Sequence, residues 1–355
     1  MTPMNPESPA VLDILPNPLI LVSGNRQITY ANAAAIALFD SIVLNSDLAL
    51  TLRHPQVLNA VERALREGQS HSGEMTLSGD VARVFDLHVV PVMTTTTEAG
   101  MAGVLLTLHE KTALVRAEQM RADFVANASH ELRSPLSAIL GFIETLQGPA
   151  KDDAKARERF LGIMAREAGR MNRLIDDLLS LSRVELDEHV RPRGTADLAH
   201  TLKSVADLLT TRAEKKDITI RLQGMEDAPE IIGDGDQLFQ VFRNLIENAV
   251  NYSAPGTTVD VKLDQAPTQA GSRDPGITVQ ITDQGEGIPR QHLPRLTERF
   301  YRVDPARGKS GDDGPISTGL GLAIVKHIIN RHRGRLKIES ETGVGSTFSV
   351  TLPRQ

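Results

Sequence analysis

The 355-residue chain contains no cysteine. Disulfides and Cys-ligated zinc or iron–sulfur sites are therefore excluded, and a reducing compartment fits. It also lacks any run of 18 consecutive apolar residues. The best short stretches, residues 19–23 and 31–39, cannot span a bilayer. The opening MTPMNPESPA has no basic residue and no apolar core, so no signal peptide is expected. Positive charge is not in excess: 39 Lys and Arg stand against 45 Asp and Glu, a net charge of −6. That balance argues against nucleic-acid binding as the main work. These absences lead to the expectation of a cytoplasmic chain with no transmembrane segment. There is no internal repeat, and the length implies two to three domains.

Residues 11–110 read as a small α+β domain. Strands at 19–22 and 27–30 flank the turn Ser23-Gly24-Asn25, and Asn32 opens a helix over 33–39. A helix over 55–67 stops at Gly68, and strands follow at 73–77, 83–93 and 101–109. Residues 112–186 read as two helices. Residues 114–147 carry Met120, Phe124, Leu132, Leu136, Leu140 and Ile143; residues 152–186 carry Phe160, Met164, Met171, Leu174, Leu178 and Leu181. Alternating steps of four and three make the second set an a/d seam. A hairpin cannot bury such a seam alone, so two antiparallel hairpins are expected to pair into a dimeric four-helix bundle. After a polar linker at 187–196, residues 197–355 alternate helices (197–216, 235–252, 319–332) with strands (217–222, 257–263, 276–283, 335–340, 346–352). Residues 264–275 and 301–318 read as loops; the second is long enough to suggest function.

Three constellations carry chemistry. The first is Ser129-His130-Glu131-Leu132-Arg133-Ser134-Pro135. A lone helix histidine means little, but His130 lies off the apolar stripe, beside an acid that can orient its ring. Pro135 removes the N–H that the Glu131 carbonyl would use, which predicts a loosened or kinked turn. A mid-helix proline costs about 3 kcal/mol and calls for a reason. The second is Asn244, Asn248 and Asn251, spaced four and three on one helical stripe. Asparagine is a poor helix former, and amide oxygens suit Mg²⁺ beside phosphates. A solvated polar face is the plain alternative. The third is a set of glycine turns: Asp283-Gln284-Gly285-Glu286-Gly287, Thr318-Gly319-Leu320-Gly321 and Gly343-Val344-Gly345-Ser346-Thr347. Gly319 and Gly321 open a helix whose free N–H groups suit phosphate. Neither a Walker A loop nor a Rossmann fingerprint is present.

The segments HELRSPL, NLIENAVNYS, DQGEGIP, ERFYRVD, TGLGLAIVK and GVGSTFSV resemble, in order and spacing, the boxes of bacterial two-component sensor histidine kinases. The resemblance covers about residues 112–355. Residues 11–110 resemble a PAS sensor domain, and the layout is similar to phosphate-regulon sensor kinases. The resemblance implies a multidomain α+β chain: a PAS-like α/β sensor (11–110), a dimerisation and histidine phosphotransfer hairpin (112–186) and an α/β-sandwich ATP-binding domain (197–355). It implies a homodimer that uses ATP and Mg²⁺ to phosphorylate His130, with Glu131 as base. The phosphoryl group then passes to an aspartate of a response regulator. Asn248 would ligate Mg²⁺, and Asn244 would lie near the phosphates. Asp283 would read the adenine amino group with Gly287 and Thr347, while Tyr252, Arg302, Gly319 and Gly321 would hold the nucleotide. Gly285, Leu320 and Asn251 complete the implied ATP set, and 301–318 would be its lid. The family often has Lys where Asn251 stands, and Thr or Asn where Ser134 stands. Ser134 keeps a hydroxyl, so phosphatase activity stays open. An ATPase of the chaperone, gyrase or mismatch-repair kind, and a non-catalytic scaffold, are the alternatives; the exposed-histidine hairpin argues against the first, and intact His130, Asn248 and Asp283 against the second.

Overall fold

The computed structural model describes residues 8–40, 42–79, 81–93, 101–226, 228–266, 276–304 and 318–354. Contacts divide the chain into two compact units, Met1–Asp123 and Phe124–Gln355. The boundary falls inside a helix, and the hairpin and the segment after it cluster together in the second unit.

The first unit runs α1 (Ser8–Asp13), β1 (Leu19–Ser23), β2 (Ile28–Ala31), α2 (Ala33–Leu38), α3 (Leu48–Thr51), α4 (Pro55–Glu67), β3 (His71–Leu77), β4 (Arg83–Met93) and β5 (Met101–Glu110). Its strands form one antiparallel sheet in the order β2-β1-β5-β4-β3. Alternation along β4 buries Phe85, Leu87 and Val89, and α4 presents Val57, Val61 and Ala64 to the same core. Buried Asn32 caps α2: its Oδ1 accepts from the N–H groups of Leu19 and Ala35, both at 2.9 Å. Its Nδ2 donates to the carbonyls of Leu12, Leu15 and Asn17, which ties down the chain after α1. The expected elements are present, with β3 starting two residues before the expected strand; α1 and α3, six and four residues long, are too short to show periodicity. The expected loop at 94–100 lies outside the described residues.

Helix α5 (Thr112–Gln147) and α6 (Ala154–Leu186) form the hairpin. Asp153 caps α6 by accepting from the N–H groups of Lys155 and Ala156, and Phe142 stacks on Phe160 with centroids 5.0 Å apart. There follow β6 (Thr195–Ala196), α7 (Leu198–Glu214), β7 (Thr219–Gln223), β8 (Ile231–Ile232), α8 (Gly235–Tyr252), β9 (Thr258–Ala266), β10 (Gly276–Asp283), a 3₁₀ turn (Arg290–Arg295), α9 (Gly321–Arg331), β11 (Arg335–Glu341) and β12 (Gly345–Pro353). The sheet order is β11-β12-β10-β9-β7, with β7 parallel to β9 and the other pairs antiparallel. Strand β9 extends into the expected loop, as far as Ala266. Among the described residues, no helix is long and apolar enough to cross a membrane.

Part of the α6 seam has a partner within the chain itself. Leu174, Leu181 and Val184 are buried in the same core cluster as α7, α8, α9 and the sheet, and Leu178, Phe124 and Leu132 pack against it. The stripe left exposed is a different one: Leu161, Ile175 and Leu179 on α6, with Leu136 and Leu140 on α5. An a/d pattern locates an apolar stripe but does not name its partner. Helix α6 has two such stripes.

His332, at the end of α9, is buried. Its Nδ1 donates to the Ile328 carbonyl at 2.8 Å, and its Nε2 accepts the Asp234 N–H at 3.0 Å. Accepting at Nε2 while donating from Nδ1 requires the neutral ring. Burial lowers its pKa from the ordinary value; Asp234 opposes the shift, and Arg331 and Arg191 add to it. The unfolded chain then binds more protons, so stability rises with pH up to about 6.5 and falls below it. The drop in urea midpoint between about pH 7.5 and pH 5.5 should shrink in His332→Gln, whose amide oxygen keeps the acceptor without titrating. An identical drop in both proteins would place the acid sensitivity elsewhere.

Candidate functional site

Helix α8 turns Leu238, Val241, Phe242, Leu245, Ile246, Ala249 and Val250 into the core, and this fixes the direction of its amide stripe. The Asn244 Nδ2 donates to the Gly321 carbonyl at 3.4 Å, so the stripe meets the first residue of α9. Asn248, one turn on, is half-buried and has no side-chain hydrogen bond among the described residues. Asn251 is engaged from another side. Its Oδ1 accepts from Arg212 at 3.0 Å and Lys216 at 3.3 Å, both near the end of α7. The Lys216 Nζ also donates to the Val250 and Asn251 carbonyls, and burial lowers its pKa. Arg212 is paired with Glu247. The structure thus brings Asn244 to the glycine turn but commits Asn251 to two cations that the sequence did not single out.

Asp283 ends β10 on the face that carries Ile277, Val279 and Ile281, and is 5% exposed. A carboxylate on a strand's buried face costs free energy unless it is hydrogen-bonded. Here Oδ1 accepts the N–H groups of Gly285 at 3.0 Å and Ser346 at 3.1 Å. Burial raises its pKa, and the two N–H groups with the Ser346 hydroxyl oppose the rise. Both N–H groups meet the same oxygen, so the turn is held through Oδ1. Nearby, the Thr282 and Thr347 hydroxyls bond at 3.1 Å, Gly285 bridges to Ser253 at the end of α8, and Tyr252 is exposed. Gly287 has φ +69°, and a Cβ there would lie 2.0 Å from the Glu341 carbonyl oxygen.

The turn before α9 is built as tightly. Gly319 has φ +72°, its carbonyl accepts the Phe300 N–H at 2.8 Å, and a Cβ would stand 2.8 Å from the Phe300 backbone. Phe300 packs on Phe124 of α5, with centroids 5.9 Å apart. Arg299 lies over the same Phe124 ring and pairs with Glu185 of α6 at 2.6 Å. The Thr318 hydroxyl donates to Asp177 of α6, and Leu320 is the buried residue between the two glycines. Arg302 is half-buried. Most of the expected lid, residues 305–317, lies outside the described residues.

On the hairpin, His130 and Ser134 are exposed on α5. The expected bond from Glu131 to the His130 ring is replaced by another: Glu131 Oε2 accepts from Arg170 of α6 at 2.8 Å. A guanidinium on the facing helix outcompetes a neutral ring for a carboxylate. Pro135 is buried inside a helix that runs unbroken from Thr112 to Gln147, so the loosening expected around it does not interrupt α5. Arg170 and Asp177 were not legible as site residues, although a charge inside an apolar seam, as at Asp177, is a signal of its own.

Residues 120–187 match the His Kinase A (phospho-acceptor) domain, and residues 233–355 match the histidine kinase-, DNA gyrase B- and HSP90-like ATPase family. The chain is 37% identical over 245 residues to the phosphate regulon sensor protein PhoR of Pseudomonas aeruginosa, covering 69% of this chain and 53% of that protein. It is 29% identical over 336 residues to the sensor protein SrrB of Staphylococcus aureus, covering 94% and 53%. The chain therefore spans about half the length of these relatives. The histidine kinase ThkA, solved in complex with the response regulator TrrA, shares the fold with a TM-score of 0.50 at 19% identity, covering 98% of each chain. A phospho-acceptor hairpin followed by this ATPase domain defines a class, and the chain belongs to the two-component sensor histidine kinases.

Substituting Gly287→Ala should strain the turn below Asp283, because alanine at positive φ costs more than about 1 kcal/mol even without a clash. The variant should melt below the wild type, and any upward melting shift that ATP produces in the wild type should be lost in it. A variant with the same ATP-induced shift would show that this turn does not face nucleotide.

Proposed function

We propose that this chain is an ATP-dependent protein-histidine kinase that phosphorylates His130 and passes the phosphoryl group to an aspartate of a response regulator. The observation that carries the proposal is the pairing, in one compact unit, of a phospho-acceptor hairpin bearing exposed His130 with an ATPase domain. Asp283 Oδ2 would accept from the adenine amino group, beside Gly285, Gly287 and Thr347. The turn Gly319-Leu320-Gly321 and Asn244 would face the phosphates, with Tyr252 and Arg302 at the rim. Asn248 fits a magnesium ligand, since its hard amide oxygen is half-buried and has no partner among the described residues. Held by Asn248, a magnesium ion would supply positive charge to offset that of the phosphates. Asn251 is the weakest member of the set, because Arg212 and Lys216 already hold it.

In the transfer the His130 ring nitrogen attacks the γ-phosphorus, an N–P bond forms, and the bond to the β–γ bridging oxygen breaks to release ADP. The lone pair of an unprotonated ring nitrogen makes the attack. The ring proton passes to a base. Glu131 would serve as that base through Oε1, since Arg170 holds Oε2.

A response regulator as acceptor is supported by the ThkA–TrrA assembly, and a homodimer by the exposed stripe of Leu136, Leu140, Leu161, Ile175 and Leu179. A PAS-like sensor reading of the first unit is supported by its five-stranded sheet with α2–α4. The likeness to PhoR makes inorganic phosphate supply the first signal to test, and Ser134, one turn from His130, keeps a hydroxyl for a phosphatase step.

Incubation with γ-labelled ATP tests the reading. The wild type should acquire label that is acid-labile and alkali-stable, as expected of a phosphoramidate. His130→Gln should acquire none while binding ATP as before. Label that survives acid, or that persists in the variant, would refute the assignment.

A further inference from the structure

Asp177 stands on the face of α6 that meets the catalytic core, beside Leu174 and Leu181. Its Oδ2 accepts the Thr318 hydroxyl at 2.7 Å, and the same Thr318 Oγ1 accepts the Leu320 N–H at 3.3 Å. Leu320 immediately precedes α9, where unpaired N–H groups and the helix dipole favour an anion. One of those N–H groups is therefore occupied by the protein's own hydroxyl, and a carboxylate sits directly behind it. Burial raises the Asp177 pKa; Thr318 and Arg243 oppose the rise, and Asp176 and Glu247 add to it. Among the described residues Arg243 forms no ion pair with Asp177, and its Nε is buried without a partner. The carboxylate is held by the Thr318 hydroxyl and is not neutralised by a bonded cation.

We propose that the Asp177–Thr318 bond couples nucleotide occupancy to docking of α6, so that a triphosphate at Gly319–Gly321 and the Asp177 carboxylate each weaken the other's hold. The inference rests on reading this turn as the phosphate site. A triphosphate beside Asp177 adds like charge and competes with Thr318 Oγ1 for the Leu320 N–H. Coupling is reciprocal: whatever Asp177 costs the nucleotide, the nucleotide costs the docked helix. Asp177 is thus a positioning residue, acting through Thr318 on the turn.

The test is calorimetric titration of the full chain with magnesium adenylyl imidodiphosphate and, separately, with adenosine. Asp177→Ala and Asp177→Asn should bind the triphosphate analogue about five- to tenfold more tightly than the wild type, within the usual range of such couplings. Adenosine, which has no phosphates, should bind all proteins alike. Asp176→Asn removes a charge one residue away without touching Thr318, and should change triphosphate affinity less than about twofold. In the wild type, adding the analogue should increase hydroxyl-radical labelling of Leu181 and Val184. Unchanged triphosphate affinity in the Asp177 variants, or equal tightening for adenosine, would overturn the proposal. A wild type that binds adenosine but not the triphosphate would overturn the reading of the turn as well.

Discussion

The second unit depends on one contact: burial of Leu174, Leu181 and Val184 of α6 in the core made by α7, α8, α9 and the sheet. Each buried leucine contributes about 1.5–3 kcal/mol. The three lie on one face, so their contributions add along a single helix. Around them the polar pairs fall into line. Ser180 bonds to Gln240 of α8, Glu185 to Arg299, and Glu188 to His327 and Asn330 of α9. These pairs are partly exposed and fix register more than they add stability.

From that contact follows the arrangement of the site. Because α6 docks on the core, Phe124 of the facing helix reaches Phe300, and Asp177 reaches Thr318. The glycine turn before α9 is therefore held from two sides, by an aromatic pair and by a hydroxyl–carboxylate bond. Asp283 is held within the sheet itself, between the N–H groups of Gly285 and Ser346. Asp283 is fixed by the sheet and the glycine turn by the hairpin, so the two can respond separately.

Much of this was legible. Asp283 was readable as the start of a glycine turn after a strand, and its role came only from the family resemblance; the alternation along β10 explains why its carboxylate is buried. The four-and-three spacing of Asn244, Asn248 and Asn251 against the apolar face of α8 was equally readable. The two-residue strands β6 and β8 are too short for periodicity, so the polar linker concealed the first of them. The partner of the α6 seam was not legible, because Leu174 and Leu181 look the same whether they face a second hairpin or a catalytic core. Arg170, Arg212 and Lys216 were missed for a related reason. Each acts on a residue some forty positions away or less in another helix, and spacing within one helix says nothing about that.

The shared core can be tested by amide hydrogen exchange on the full chain and on Leu181→Ala. Truncating a buried leucine costs about 2–5 kcal/mol where the site cannot collapse. If α6 and the catalytic core form one cooperative body, protection should fall together in residues 174–188 and in α9, while β4 and β5 of the first unit keep theirs. Loss confined to α6, with α9 protected as in the wild type, would contradict the account.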